Sequence, residues 1–240
     1  MEILGERQPA SPSELVQELK LTRSNVHRFL ATLKELGYVD KALDSKYRLT
    51  FKIFRLGSTV LRRNRLSDIA RPYMTRLAEI SQENVNLAVI HNGTVLYLDK
   101  IESSHYLKLD QPIGGTDPVH CTALGKALLS GLTDRELDVF LRSNELISYT
   151  KKTVVDPLVL ARVIRNTRKQ GFATDFEELS VGIHRIAVPI RDHRDKVVAA
   201  LSVSGPTVRL TKEKIETLKA PLIETAREIS EKMGSITQGR

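Results

Sequence analysis

The fold is decided by residues 22–39, which read TRSNVHRFLATLKELGYV. Thr22 is a favourable N-cap, and Gly37 suits the position just beyond a helix end, because glycine tolerates left-handed backbone. Apolar side chains recur at helical spacing and share one face: Val26, Phe29, Leu30, Leu33 and Leu36. The stretch therefore predicts a helix over residues 22–36 with one apolar face.

The flanking residues extend this helix into a larger unit. Residues 12–20 predict a shorter helix, and the brief turn before Thr22 makes the pair a helix-turn-helix. After Gly37 the pattern predicts strands over 38–41 and 46–50, with a turn at Leu43-Asp44-Ser45. A two-stranded ribbon directly after the second helix is the wing of a winged helix.

Charge is concentrated in the first part of the chain. Residues 1–65 hold 13 Lys and Arg against 7 Asp and Glu, whereas residues 66–240 hold 24 against 22. A basic unit beside a nearly neutral one favours a polyanion partner, although charge alone fits simple solubility equally well. With 240 residues and 41% hydrophobic residues the chain can bury a core, which excludes a wholly disordered protein.

Nothing in the sequence asks for a membrane or an oxidising compartment. No stretch approaches the ~18 uncharged apolar residues of a membrane span, and residues 1–9 do not read as a signal peptide. Cys121 is the only cysteine, so no internal disulfide can form. We therefore expect a cytoplasmic protein with no membrane partner.

Polar residues cluster at the start of the helix over 22–36 and on the ribbon. A recognition helix places its first turns against base edges, where Arg pairs with guanine and Asn with adenine. Lys41 on the ribbon is placed to reach the DNA backbone. The candidate DNA-binding residues are Thr22, Arg23, Ser24, Asn25, His27, Arg28, Lys46 and Arg48. Each alone fits a solvated helix face, but their order within helix, turn, helix and ribbon favours nucleic-acid binding.

The rest of the chain alternates helices and strands. Helices are predicted over 67–82, 122–130, 133–143, 156–170 and 211–233, and strands over 85–91, 94–101, near 105–111, 183–191 and 196–205. Asn92-Gly93 between two of these strands is a strong hairpin signal. The pattern favours an α/β or α+β domain built on one largely antiparallel sheet, and we take α+β as the fold class.

The chain carries few signs of catalysis or metal binding. The chain has no GxSxG, HExxH, Walker A or CxxC motif, and its six histidines lack metal-ligand spacing. The neighbours His120 and Cys121 make a poor nucleophile–base pair because their side chains diverge. We therefore expect neither an enzyme nor a cofactor or metal.

The glycine loop over 112–122, PIGGTDPVHCT, is more informative. Thr122 can cap the following helix, which leaves the amides of Ala123, Leu124 and Gly125 at its positive end. Such an end favours an anion, for example a carboxylate. A plain capped helix without a ligand is the alternative.

The chain resembles the IclR family of bacterial transcriptional regulators over essentially its whole length. Three motifs carry the resemblance: SNVHRFLATLKELGYV with YRLT at 47–50, PIGGTDPVHCTALGKALL at 112–129, and DFEELSVGIHRIAVPI at 175–190 with LSVSGP at 201–206. The resemblance implies a winged helix-turn-helix DNA-binding domain over 1–50, a linker helix over 51–65, and a GAF-like effector-binding and oligomerisation domain over 66–240. It also implies double-stranded operator DNA, a small organic acid effector, and a homodimer or homotetramer.

The resemblance further implies an effector pocket, carried over position by position. Ala123 and Leu124 supply backbone amides, and Asp175 hydrogen-bonds ligand hydroxyls. Ser202 and Ser204 bind the carboxylate.

The pocket has three further positions, and this chain differs from the family pattern at two of them. Leu109 and Asp117 match positions that are usually apolar, and Arg185 stands where the family normally has cysteine, so Asp117 and Arg185 depart from the pattern. Arg185 has two interpretations. It can grip a second acidic group of the ligand, such as that of a dicarboxylate or sugar acid, or it can pair with Asp117 or Asp175 and neutralise the pocket.

The sequence is thus interpreted as a ligand-responsive, DNA-binding transcriptional repressor that senses a small organic acid. The alternative is a stand-alone small-molecule-binding or enzymatic GAF-like domain whose accessory domain does not bind DNA. A third interpretation is a regulator that keeps the ligand domain but binds DNA poorly, since Met1 falls inside the first helix of the family pattern.

Overall fold

The computed structural model describes residues 1–7, 9–42, 45–56 and 66–235. The chain divides into two units, Met1–Arg65 and Leu66–Arg240. Within the described residues no helix is both long and apolar enough to cross a membrane.

The first unit is a small helical domain with a two-stranded ribbon. Its elements are α1 (Glu2–Glu6), α2 (Pro12–Leu19), α3 (Arg23–Glu35), β1 (Val39–Lys41), β2 (Tyr47–Leu49) and α4 (helical residues 51–56). The strands pair antiparallel, with Val39 opposite Leu49 and Lys41 opposite Tyr47. The predicted helix-turn-helix and ribbon are confirmed, while Leu43, Asp44 and residues 57–65 of the predicted turn and linker helix lie outside the described residues.

Sequence signals at the helix ends explain why these helices form where they do. Ser11 and Glu14 form a reciprocal capping box at the start of α2, with Pro12 in the first turn. The Thr22 hydroxyl accepts a hydrogen bond from the Asn25 amide and caps α3. The two helices and the ribbon share one apolar core: Leu4, Ala10, Leu15, Val26, Leu30, Val39 and Tyr47.

The second unit is built on a six-stranded sheet. Its helices are α5 (Leu66–Ser81), α6 (Ala123–Leu129), α7 (Asp134–Ser143), α8 (Pro157–Gln170) and α9 (Lys212–Lys232). Its strands are β3 (Asn84–His91), β4 (Thr94–Ile101), β5 (Thr116–Pro118), β6 (Ala173–Phe176), β7 (Ile183–Arg191) and β8 (Val197–Pro206). The strand order is β5-β4-β3-β8-β7-β6, and every neighbouring pair is antiparallel.

The two faces of this sheet have different neighbours. On one face Leu201 and Val203 of β8 join the core formed with α5 and α9. On the other face Ala200 joins the core formed with α6 and α8. Side chains alternate along a strand, so Ser202 and Ser204 of β8 point toward α6. The α+β class and the largely antiparallel sheet are therefore confirmed.

The strand predicted near 105–111 is wrong. These residues form an irregular loop whose carbonyls are bound by side chains: Asn84 Nδ2 donates to the Leu109 carbonyl at 2.6 Å, and Arg209 Nη2 donates to that of Leu107 at 2.9 Å. The edge of β4 is covered instead by the short strand Thr116–Pro118. The strand Ala173–Phe176 was not anticipated, because four residues after a helix end show too little alternation.

Candidate functional site

The first candidate site is the exposed start of α3. Arg23, Ser24, His27 and Arg28 are exposed, while Val26 and Leu30 on the opposite face are buried. Asn25 is half-buried, and its Oδ1 accepts a hydrogen bond from Arg28 Nη2 at 3.4 Å. The polar face predicted for this helix is thus turned to solvent.

The ribbon carries its two candidate cations differently. Arg48 on β2 is exposed and lies opposite Asp40 on β1, with Nη2 and Oδ2 3.8 Å apart. Lys46 is half-buried and lies close enough to Glu14 of α2 for its charge to affect that carboxyl. Hydrogen bonds from Ser11 lower the pKa of Glu14, and the charges of Lys46 and Arg7 lower it further. An exposed ion pair contributes little to stability, so Arg48 is easily released to another anion.

The second candidate site is a row of polar side chains across the α6 face of the large sheet. The row consists of Asn86, Ser202, Ser204, Arg185, Asp175, Glu178 and Lys126. At its centre Arg185 on β7 lies opposite Asp175 on β6. Arg185 Nη1 donates to Asp175 Oδ2 at 2.6 Å, with side-chain exposures of 6% and 0%. The other Asp175 oxygen accepts from the Glu178 amide at 2.6 Å. The arginine is therefore paired with Asp175, which is one of the two sequence-based interpretations.

The next part of the row lies on the central strands. Asn86 on β3 is opposite Ser202 on β8, and Ser204 is opposite Arg185. Asn86 Nδ2 donates to Ser204 Oγ at 3.0 Å. Among the residues that the structure describes, Asn86 Oδ1 and Ser202 Oγ are buried without a hydrogen-bond partner. A buried polar atom without a partner costs about 1–3 kcal/mol, so both atoms favour a ligand that would bind them.

At the far end of the row Lys126 of α6 and Glu178 form a buried ion pair. Lys126 is 2% exposed, contacts the Glu178 carboxylate, and donates to the Thr174 carbonyl at 3.0 Å. Burial raises the pKa of Glu178, and the charge of Lys126 opposes that rise only in part. The second oxygen of Glu178 has no partner.

The helix α6 brings the predicted backbone amides close to the sheet. Ala123 and Leu124 begin the helix and are fully buried, and the Thr122 hydroxyl accepts from the Gly125 amide at 3.1 Å. A Cβ at Gly125 would lie 2.0 Å from the Val119 carbonyl oxygen. This glycine is required for the close approach of α6 to the preceding loop.

Asp117 lies on β5, at the edge of the sheet, and Leu109 lies in the loop that precedes this strand. Asp117 Oδ2 accepts hydrogen bonds from Tyr97 Oη at 2.7 Å and from Gln111 Nε2 at 2.6 Å. Burial, together with the Asp117 charge, raises the pKa of Tyr97 well above its usual range, while the charge of Arg185 lowers it slightly. Leu109 contributes its backbone carbonyl, which Asn84 binds.

A cavity of about 350 Å³ lies beside β5, and its lining includes Asp117, His120, Phe140 and Tyr149. His120 is 4% exposed, its Nε2 lies 2.9 Å from the Ile147 carbonyl oxygen, and burial lowers its pKa. The neighbouring Cys121 is fully buried, and burial raises the pKa of its thiol to about 12. The thiol is therefore protonated and unsuited to nucleophilic chemistry.

Sequence reasoning missed several members of the row. Asn86 alternates with Val85 and Leu87 in a predicted strand, which placed it on the opposite face from those two apolar residues. Lys126 is the one charged residue in the helix ALGKALL. Both signals were available in the sequence, whereas the contact of Lys126 with Glu178 required the fold.

Comparison with known proteins matches both units to one family. The model described as Bacterial transcriptional regulator IclR C-terminal matches residues 58–231, and the IclR helix-turn-helix domain matches residues 1–42. The HTH-type transcriptional regulator KdgR of Escherichia coli is 35% identical over 235 residues, which is 98% of this chain and 89% of that protein. The Acetate operon repressor of Salmonella typhimurium is 34% identical, over 91% of this chain and 81% of that protein.

Solved structures show the same likeness. The Thermotoga maritima IclR structure has a TM-score of 0.80 at 33% identity and covers 97% of this chain and 95% of that one. An IclR homologue of Microbacterium hydrocarbonoxydans, complexed with 4-hydroxybenzoate, has a TM-score of 0.80 at 27% identity and covers 93% and 91%.

Proposed function

This chain belongs to the IclR family of bacterial transcriptional regulators, and we propose that it is a repressor whose operator binding responds to a small organic acid. It is a transcriptional regulator, as its relatives are named, so the alternative of an enzymatic domain is set aside. Repression, the kind of acid that is sensed and the oligomeric state are proposed for this chain.

We assign operator binding to the start of α3 and to the ribbon. The observation that carries this assignment is the exposure of Arg23, Ser24, His27 and Arg28 above a buried apolar face. Their side chains supply the donors that read base edges and phosphates in the major groove. Thr22 caps the helix with its hydroxyl, so its contribution to the set is mainly to position Arg23 and Ser24.

Mobility-shift titration with the DNA upstream of the protein's own gene tests this assignment. If Arg23 reads a base, Arg23→Ala loses about 1–3 kcal/mol of preference for the operator over random DNA. Arg7→Ala is the matched control, because Arg7 is also an exposed arginine of the first unit and its ion pair is with the exposed Glu18. An unchanged preference in Arg23→Ala and Asn25→Ala would remove these residues from the interface.

We also propose that the protein acts as a homodimer or homotetramer. A single winged helix makes few phosphate contacts, whereas two linked ones gain affinity through effective concentration. The operator is then a rough palindrome with half-sites about one or more helical turns apart. Sedimentation of the complex and a footprint of the operator test this, and a monomer on a single asymmetric half-site would contradict it.

We assign the effector to the polar row on the sheet, where Ser202 Oγ is buried and unpartnered. Ser202, Ser204 and the amides at Ala123 and Leu124 would hold the carboxylate, with Asp175 and Arg185 beside them. The Microbacterium homologue supports an acid, because 4-hydroxybenzoate is a carboxylate.

A thermal-shift screen of organic acids tests this part, since a ligand that binds the folded state raises its stability. Ser202→Ala should abolish the shift given by any acid that stabilises the wild type. Ser230→Ala is the control: Ser230 is also buried, but it lies on α9, against the other face of the sheet. An equal shift in Ser202→Ala would exclude the serine from the site.

A further inference from the structure

We propose that the effector is a hydroxylated carboxylic acid, and that Asn86 is the residue that recognises its hydroxyl group. This inference rests on the proposed function, because it takes the polar row as the effector site. Asn86 is not among the pocket residues predicted from the sequence. A ligand hydroxyl group takes the place of the second acidic group that was considered as a partner for Arg185.

Asn86 is a buried polar residue that the described part of the chain satisfies only in part. Asn86 is 1% exposed, on a central strand, between the core residues Val85 and Leu87. Asparagine is disfavoured in strand interiors, and only one end of its amide is used, in the bond to Ser204. The carbonyl end is buried with no partner.

The unpartnered atoms of Asn86 and Ser202 define the chemistry that fits. The two residues are directly opposite each other on β3 and β8, so both face the same side of the sheet. Asn86 Oδ1 can only accept a hydrogen bond, whereas the Ser202 hydroxyl can donate one. A ligand hydroxyl can donate to Asn86 Oδ1, while the carboxylate of the same ligand accepts from Ser202 Oγ. A carboxylate only accepts and leaves Asn86 Oδ1 unsatisfied.

The charges of the row disfavour a second carboxylate. Arg185 is paired with Asp175 and Lys126 with Glu178, and Asp117 adds a third carboxyl nearby. The second oxygen of Glu178 is a further buried acceptor that needs a donor. A second ligand carboxylate would therefore find both cations already paired and would lie among carboxylate oxygens that repel it. Further ligand hydroxyls could instead donate hydrogen bonds to these oxygens.

Two sets of acids on matched carbon chains separate these possibilities by isothermal titration against the full-length protein. The six-carbon set is hexanoate, gluconate, adipate and glucarate, and the four-carbon set is butyrate, threonate, succinate and tartrate. We expect gluconate or threonate to bind more tightly than the plain acid and the plain diacid of the same length. A plain acid or diacid that binds as tightly as its hydroxylated counterpart overturns this inference but leaves the proposed function standing. It is also overturned if none of the hydroxylated acids gives measurable binding in the titration.

The variants identify the residue. Asn86→Ala should weaken binding of the hydroxylated acid by about tenfold or more, as one lost hydrogen bond to a ligand implies, and leave the plain acid unchanged. Asn144→Ala is the control, since Asn144 ends α7 and donates to the Phe140 carbonyl and the Ser143 hydroxyl at that helix end. Asn86→Leu, which keeps the approximate shape but removes the amide, should give the same selective loss should Asn86→Ala fail to fold. Equal losses for hydroxylated and plain acids, or no loss in either variant, overturn the assignment of Asn86. Failure of the operator titration, by contrast, would count against the proposed function.

Discussion

Removing the charge of Asp175 should destabilise the second unit by an amount that the structure allows us to estimate. Asp175 is fully buried and accepts from Arg185 at 2.6 Å, and Arg185 is itself 6% exposed. Breaking a buried ion pair by removing one partner costs about 3–5 kcal/mol, because the other charge is left uncompensated. Asp175→Asn keeps the shape and one acceptor for the Glu178 amide, so we expect a loss of about 3 kcal/mol.

Urea denaturation of the ligand-free protein measures this loss. Glu224→Gln is the matched control, because the Glu224–Arg227 pair is exposed and its loss should cost at most about 1 kcal/mol. Replacing both partners with apolar residues, Asp175→Leu with Arg185→Met, should recover most of the stability, since no charge is then buried. A loss below about 1 kcal/mol in Asp175→Asn, no larger than that of an exposed pair, would refute the reasoning.

Three further outcomes follow from the neighbourhood of α6. Gly125→Ala should lower the unfolding free energy by several kcal/mol or prevent folding, since the new Cβ would lie 2.0 Å from the Val119 carbonyl oxygen; a wild-type denaturation curve would contradict this. Burial lowers the pKa of His120, so the unfolded state binds its proton more readily and stability should fall as pH drops through 6.5, the ordinary value for histidine; His120→Phe should remove this dependence in urea titrations from pH 8 to 5. Cys121, with a pKa raised to about 12, should react with a thiol reagent only on unfolding, and rapid labelling of the native protein would show that it is accessible.

Local patterns were sufficient for the helices of the first unit. Ser11, Thr22 and Gly37 mark their ends, and the residues between have a clear helical period, so both the elements and the exposed face of α3 could be predicted. The segment 105–111 shows the opposite case. Leu107 and Leu109 alternate with polar residues as in a strand, but side chains distant in sequence, such as Arg209, bind their carbonyls and fix a loop.

The candidate pocket was predictable only in part. The resemblance supplied Asp175, Arg185 and Ser202 as positions, but which partner Arg185 takes depends on the β6–β7 register, which places it opposite Asp175. Asn86 was not predicted because an asparagine in a strand is usually exposed. Its burial becomes clear only once β8 is known to pair with β3. Pairings between strands far apart in sequence are the part that local patterns do not contain.

The order of the sheet also has a kinetic consequence. Strands β3, β4 and β5 pair with one another, as do β6, β7 and β8, while the pairing of Ala88 with Ala200 joins the two halves across most of the second unit. Closing so long a loop is slow, so the halves should form first and join late in folding. Asn86 lies on one side of this seam, and Ser202 and Ser204 on the other. A ligand that contacts both sides stabilises interactions that form late, so it should act chiefly by slowing unfolding and lengthening the lifetime of the native state.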